Sequence, residues 1–562
     1  MGNYELYESR HIVDLRDMFE SSCAMFSERT AFLSKVDGTY RPTLYREFWR
    51  DICSLGTMFV KEGFTGKKIA VVGEACYEWA LTYAAVVSGL GVIVPIDKEL
   101  PAEEIANLLC IAEAEAVVST PKSEEKIRTA VQSAPCVKRI INTADELHAL
   151  IKKGAELADS TDEAAKAFKE LPIDCEKMAV LLFTSGTTGV AKGVMLSHKN
   201  ICTNLEAMTQ MLYIYKEDVF LSVLPIHHTY ECTCGYLCPI YRGSTVAYSE
   251  GLRRILKNME ETKATMMLAV PLLVENIYKN LWKQAEKTGQ AKKLRKAIAL
   301  SNFLLKLGID KRKKLFASIH QKFGGHFRMF VAGAAAIDPN VSRGFRELGI
   351  NVFQGYGMTE CAPIGALNRD RFFRDDSIGL PLPGVEIRID SPDSEGNGEI
   401  CLKGGNVMIG YYKNEEATAQ VLRDGWLYTG DVGHIDEDGF VYLTGRKKNV
   451  IVTKNGKNVF PEEIETYLNR ILYVSESLIT GRFDSREDDV VIAAQIIIDK
   501  DAVAEKLGAT YEDDALHELI QGEIDKLNIS LPAYKRVTEF SIRTEAFHKT
   551  TTQKIKRHLE NK

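Results

Sequence analysis

The 562 residues are too many for one hydrophobic core, so several structural units of about 100–200 residues each are expected. A composition of 45% apolar and 26% charged residues excludes disorder and collagen-like repeats, and a formal charge of −6 excludes a general nucleic-acid binder. One stretch departs from that average: Lys279–Arg328 holds fourteen Lys and Arg against only Glu286 and Asp310, a local +12 against −18 for the remainder.

In chain order, the N-terminus (MGNYELYESRHIVDLRD) lacks the apolar centre of a signal peptide, and Leu6 breaks the myristoylation pattern. Strand-like and helical patterns then alternate: KKIAVVG, EACYEWALTYAAVVSGL, VIVPID, PAEEIANLLCIAEAE, AVVS. Such alternation predicts an α/β fold with parallel sheets covered by helices. The uncharged run Trp79–Ile96 has the length of a membrane span, but Gly89, Gly91 and Pro95 divide it into a helix and a buried strand. Pro101, followed by Glu103 and Glu104, marks a helix start. Residues 152–177, rich in Ala, Lys, Asp and Glu, read as an exposed helical connector. Twelve cysteines, all before residue 402, form no Cys-x-x-Cys pair, which in a chain this long suggests reduced thiols and a cytoplasmic protein.

The strand MAVLLF runs into Thr184-Ser185-Gly186-Thr187-Thr188-Gly189-Val190-Ala191-Lys192-Gly193. Glycines let a backbone approach a phosphate, hydroxyls donate hydrogen bonds, and Lys192 adds positive charge. Gly189 is followed by Val-Ala-Lys, so the loop is not a Walker A motif, and the bare pattern also fits an ordinary surface loop. Further on, Gln354-Gly355-Tyr356-Gly357-Met358-Thr359-Glu360 offers a tyrosine ring and bare backbone to a flat base, a hydroxyl to a phosphate, and a carboxylate to Mg²⁺. Residues 378–445 are glycine-rich with short strands and read as a more antiparallel β region. The charged cluster at 446–449 precedes a cysteine-free α+β segment. A carboxylate at Asp431 can accept from both ribose hydroxyls, although a lone Asp after Thr-Gly is commonly a turn residue. His227, His228, Cys232, Cys234 and Cys238 lie close in sequence, but buried thiols in an apolar stretch fit them better than a zinc site.

Taken in order, these motifs resemble the adenylate-forming acyl-CoA synthetase superfamily over nearly the whole chain. The matches also include Leu224-Pro-Ile-His-His-Thr-Tyr-Glu231, similar to its acyl-site motif, and Lys554 in TTTQKIKR, similar to its C-terminal catalytic lysine. The resemblance implies a large N-terminal domain of helix-covered sheets with a β-rich subdomain (1–445), a hinge (446–448), and a small mobile α+β lid domain (449–562). It implies ATP, Mg²⁺ and CoA, with the acid joined to AMP and then passed to CoA. Thr184–Gly189, Lys192, Gly333–Ala335 and Gln354–Thr359 would bind nucleotide, with Thr184 and Glu360 near the metal. Asp431 and Arg446 would bind ribose, His228 would stand at the acyl site, and Lys554 would promote adenylation. Lys448 matches the pivot, and Gly456 lies in the loop that would replace Lys554 during transfer to CoA.

By the same resemblance, amino-acid-activating relatives carry an Asp in the motif corresponding to 224–231 to pair with the substrate ammonium, and its absence here disfavours an amino-acid substrate. The run Val331-Ala-Gly-Ala-Ala-Ala-Ile-Asp338 resembles the long-chain fatty acid–CoA ligase branch, although it departs from the commoner Gly-Gly-Ala-Pro form. Medium-chain, aromatic or other carboxylates, a carrier-protein acceptor, a non-catalytic nucleotide-binding role and the oligomeric state stay open. The basic segment 279–328 carries apolar residues at helical spacing (Ile298, Leu300, Phe303, Leu304, Leu307), which reads as a solvated helical hairpin or as a peripheral contact with the inner membrane surface.

Overall fold

Four-residue runs such as Thr245–Tyr248, Met266–Ala269 and Met329–Ala332 are buried at every position, the signature of parallel strands covered on both faces. In the computed structural model, which describes residues 4–158, 162–184, 191–454, 457–484, 489–549 and 555–560, these strands lie in the middle of large sheets. The chain divides into two compact units, Met1–Ile387 with Leu402–Leu427, and Arg388–Cys401 with Tyr428–Lys562.

The first unit holds a nine-stranded and a seven-stranded sheet. Asn351–Gly357, Met329–Ala332, Met266–Ala269, Val219–Ser222, Thr245–Tyr248 and Thr30–Val36 run parallel in the nine-stranded sheet, in that order. Beneath it, Phe323, Phe327, Phe330 and Phe345 form an aromatic cluster within an aliphatic core. In the seven-stranded sheet, Met178–Thr184 lies between Lys192–Ser197 and Val92–Ile96, and the two-residue strand Gly410–Tyr411 closes one edge.

The run Trp79–Ile96 divides as its glycines suggest. Helix Tyr77–Ala85 passes into a wide turn, Val86–Leu90, where Gly89 takes φ +100°, and strand Val92–Ile96 follows. Among the described residues no helix is long and apolar enough to cross a membrane. The stretch expected as an exposed connector is different. It forms helices Glu146–Ala158 and Glu163–Glu170, which pack on helix Tyr45–Lys61 and bury Ala165 and Phe168. Small residues allow this approach, because a methyl on Gly154 would lie 2.0 Å from the Ser54 carbonyl oxygen and one on Gly56 would lie 2.2 Å from the Phe168 ring.

The second unit has its own aliphatic core under a sheet of Val474–Asp484, Asp489–Ile498 and Val537–Arg543. Helices Pro461–Leu468, Lys500–Leu507 and Asp513–Ser530 cover it, the α+β organisation expected for this segment.

Two glycine substitutions separate helix propensity from packing. Either Gly→Ala change gains up to about 1 kcal/mol of propensity in a helix. At Gly154 the methyl meets backbone that cannot give way, at a cost of about 1–3 kcal/mol, whereas at Gly522 nothing lies within 4 Å. Calorimetry should show Gly154→Ala lowering the melting temperature and Gly522→Ala raising it; a rise in both would refute the close helix contact.

Candidate active site

Polar loops leave the nine-stranded sheet at the C-terminal ends of its parallel strands, where α/β sheets commonly bind ligands. Val219–Ser222 leads into the segment 223–231, Met329–Ala332 into Gly333–Ala336, and Asn351–Gly357 into the turn Thr359–Cys361. Three candidate motifs, far apart in sequence, therefore share one edge. Direct contacts tie them together: Thr229 Oγ1 donates to Thr359 Oγ1 at 3.3 Å, and Tyr230 OH donates to the Val331 carbonyl at 2.8 Å.

Gly333 is needed here, since a methyl would lie 2.9 Å from the Tyr230 ring. Ala334 takes φ +73°, a left-handed conformation that costs an L-residue about 1–2 kcal/mol, and Ala334 and Ala335 are exposed. Gln354 holds the same loop by accepting the Ile337 N–H at 3.0 Å through Oε1. Gly355 and Tyr356 pair with Leu367 and Ala366, Tyr356 is buried, and a methyl on Gly357 would collide with the Pro363 carbonyl at 1.8 Å. Met358 donates its N–H to that same carbonyl.

Thr184 and Lys192 face each other in the ladder of the seven-stranded sheet, with Thr184 Oγ1 3.5 Å from the Lys192 carbonyl. Ser185, Gly186, Thr187, Thr188 and Gly189 lie outside the described residues. The Lys192 ammonium stands 4.9 Å over the Tyr411 ring, and Tyr411 OH donates to Glu360 Oε1 at 2.8 Å. Burial, with Glu360 beside it, raises the Tyr411 phenol well above its usual value, so it stays protonated and able to donate. The carboxylate of Glu360 is half-buried and, among the described residues, its one side-chain hydrogen bond is the one Oε1 accepts from Tyr411, which suits a magnesium ligand. Among the described residues no three His, Cys, Asp or Glu side chains gather to hold a metal. Magnesium needs no such group, because it takes one or two carboxylates alongside phosphates.

No local pattern in the sequence marks Tyr411. Its place comes from the pairing of Gly410–Tyr411 with Lys192–Ser197, two segments distant in sequence.

The segment 227–238 is buried and largely neutral. Burial pushes His227 far below its usual range, so its 3.6 Å approach to Asp97 is neither an ion pair nor a hydrogen bond. Burial also lowers His228 and raises the thiols of Cys232, Cys234 and Cys238. Burial drives the fully enclosed Glu231 carboxyl up to about 8, against a smaller opposing pull from Ser222, and its Oε2 has no hydrogen-bond partner among the described residues. Gly235 makes room for it, since a methyl there would lie 2.8 Å from the carboxyl carbon.

In the second unit Asp431 and Arg446 are register partners across an antiparallel pair, with Arg446 Nε 2.8 Å from Asp431 Oδ1. Lys448 follows in the short turn Lys447–Asn449. Gly456 and Lys554 lie outside the described residues. The flanks of the Lys554 segment are anchored: Lys549 and Ile555 form a bridge, Lys549 pairs with Glu476, and Arg557 donates to both oxygens of Glu465.

Known proteins match along this whole length. The profile of the AMP-binding enzyme family covers residues 19–412. A long-chain-fatty-acid–CoA ligase, FadD15 of Mycobacterium bovis, is 26% identical over 559 residues, spanning 93% of this chain and 91% of its own. Long chain acyl-CoA synthetase 4 of Arabidopsis thaliana is 28% identical, over 87% and 79% of the two chains. Among solved structures, the anthranilate CoA ligase AuaEII with anthranoyl-AMP superposes with a TM-score of 0.76 at 21% identity, covering 99% of this chain and 97% of that one. ATP-bound MatB of Rhodopseudomonas palustris gives 0.73 at 23% identity and 98% coverage of both chains.

The buried Glu231 makes stability depend on pH. Its folded-state pKa of about 8 exceeds the ordinary 4.5, so its contribution is intact below about 4.5 and is lost as pH rises through 8. Glu231→Gln should therefore gain stability over the parent across that window, on the order of a few kcal/mol, and level off above it. Melting curves of both proteins in buffers spanning the window test this; a difference independent of pH would contradict the buried neutral acid.

Proposed function

The chain belongs to the AMP-binding enzyme family, and from that membership we propose that it activates a fatty acid in two steps. The acid's carboxylate attacks the α-phosphorus of ATP, releasing pyrophosphate and forming acyl-AMP. The thiol of CoA then attacks the acyl carbon and releases AMP. The observation that carries this reading is the junction of the acyl-site segment with the phosphate-side turn, Thr229 on Thr359 and Tyr230 on Val331, at one sheet edge. Long-chain acids are favoured by the names of the relatives and by the neutral, apolar segment after His228, which offers no anion to an ammonium group.

Within this reading Lys192 and the hydroxyls from Thr184 to Thr188 hold the phosphates, while Gly333–Ala335 and Gln354–Met358 hold the adenine side. Asp431 accepts from the ribose hydroxyls and Arg446 keeps that carboxylate in place. Magnesium held by Glu360 and Thr184 would neutralise charge on the triphosphate. Tyr411 fixes Glu360 through its hydroxyl and Lys192 through its ring. His228, kept neutral by burial, meets the acid as a hydrogen-bonding group and not as a cation. Lys554 contacts carboxylate and α-phosphate together. A unit-charge contact at ~4 Å and an effective dielectric of about 20 is worth about 4 kcal/mol, enough to govern the step. Residues 446–448 act as a pivot that exchanges Lys554 for the loop at Gly456 before CoA attacks.

Three measurements test the reading. Release of AMP should be greatest with long-chain members of a panel running from acetate to stearate with aromatic and bile acids, and acyl-CoA should appear by mass spectrometry only when CoA is present. Lys554→Ala should slow acyl-AMP formation about a thousandfold while sparing transfer to CoA from supplied acyl-AMP; equal loss of both half-reactions would remove the two-pose mechanism. Tyr411→Phe, which keeps the ring under Lys192, should raise the magnesium requirement about three- to tenfold with little change in the KM for ATP, whereas Tyr411→Leu should raise both. Unchanged magnesium dependence would deny Tyr411 its positioning role.

A further inference from the structure

The geometry points to the helix Ala291–Lys306 and its continuation to Leu315 as a surface by which this protein seats itself on an anionic lipid bilayer. This inference is independent of the acyl-CoA reading and concerns the +12 segment that no catalytic role uses.

The helix is fixed by one side. Ser301 is its only fully buried residue, and Asn302 Nδ2 donates to Glu347 Oε1 at 2.8 Å. On the opposite side Leu300, Phe303 and Leu307 are 52%, 59% and 60% exposed, and their spacing of three and four residues aligns them in one stripe. Lys293 and Lys296 extend the stripe toward the N-terminus at the same helical spacing. Beyond the helix Ile309 and Leu315 are also exposed, interleaved with exposed Lys311, Lys313 and Lys314. None of these five lysines makes an ion pair among the described residues, so their charge faces outward.

The apolar stripe separates a docking face from an ordinary solvated hairpin. A helix needing only solubility would not carry a phenylalanine and two leucines in line on its exposed face. The charge selects the occupant. A second copy would bring the same excess of positive charge against this one, whereas anionic headgroups attract it. Apolar tips on a convex helix flanked by lysines suit a fluid interface, into which they can sink while the ammonium groups stay at headgroup level.

The test uses the full chain and vesicles of phosphatidylcholine alone or mixed with phosphatidylglycerol. Flotation should recover the protein with the anionic vesicles, with at least about tenfold weaker partition to phosphatidylcholine and loss of binding as salt rises. The combined variant Leu300→Asn, Phe303→Ser, Leu307→Asn and the combined variant Lys311→Glu, Lys313→Glu, Lys314→Glu should each lower partition at least about tenfold, with melting temperatures retained because all these side chains are exposed. A separate Phe303→Trp protein should show a blue-shifted emission on adding anionic vesicles, which reports insertion at this position even if a multiple variant fails to fold. Equal partition of variants and parent, no partition of the parent, or no spectral shift would overturn the proposal. So would a parent that is dimeric by light scattering and becomes monomeric when the stripe is removed, since the occupant would then be a second copy.

Discussion

Strands buried on both faces can place polar side chains only at their ends. In the first unit this constraint governs the site, because Val219–Ser222, Met329–Ala332 and Asn351–Gly357 are adjacent or near neighbours in one parallel arrangement whose loops all leave the same edge. The segments proposed for the acid and for the nucleotide meet because their strands point the same way. The contacts of Thr229 with Thr359 and of Tyr230 with Val331 follow from that alignment. The tight glycines at 333 and 357 are its local cost, since each permits an approach that a methyl would block.

Charge is used sparingly at this edge. His227 and His228 are kept neutral by burial, Glu231 retains its proton, and the three cysteines of the segment stay as thiols. A carboxylate substrate with an apolar tail would thus meet a segment with no fixed charge of its own, with Asp97 3.6 Å from His227. The charged groups proposed to meet nucleotide are individually supported: in the first unit Lys192 over the Tyr411 ring and Glu360 on the Tyr411 hydroxyl, and in the second unit Arg446 on Asp431. The net charge of the chain conveys none of this, because these residues act by position. The large local excess at Lys279–Arg328 lies apart from them in sequence and belongs to an exposed helical surface.

Much of the fold is legible in the sequence because period and punctuation agree. Gly89 and Gly91 divide an uncharged run into helix and strand, and Pro101 with its following acids starts the next helix where expected. The helices within 146–170 are also legible, but their burial is not, since composition cannot show that Gly154 and Gly56 let them press against Tyr45–Lys61. Tyr411 is hidden for a related reason, as only a β-pairing between distant segments brings it under Lys192. Glu231 stands within a recognisable motif, yet its proton depends on complete enclosure, a property of the packed structure. Residues 298–307 show the remaining limit. Helical spacing marks all five apolar positions alike, and only packing separates the partly covered Ile298 and Leu304 from the exposed Leu300, Phe303 and Leu307.

When the carboxylate itself attacks the α-phosphorus, one of its oxygens passes to AMP as CoA takes the acyl group. Incubating the protein with ATP, CoA and a fatty acid labelled with heavy oxygen in the carboxylate, then weighing the products by mass spectrometry, follows that atom. One labelled oxygen in AMP and none in pyrophosphate is the expected result. Label in pyrophosphate or inorganic phosphate, or acyl-CoA formed with unlabelled AMP, would contradict it.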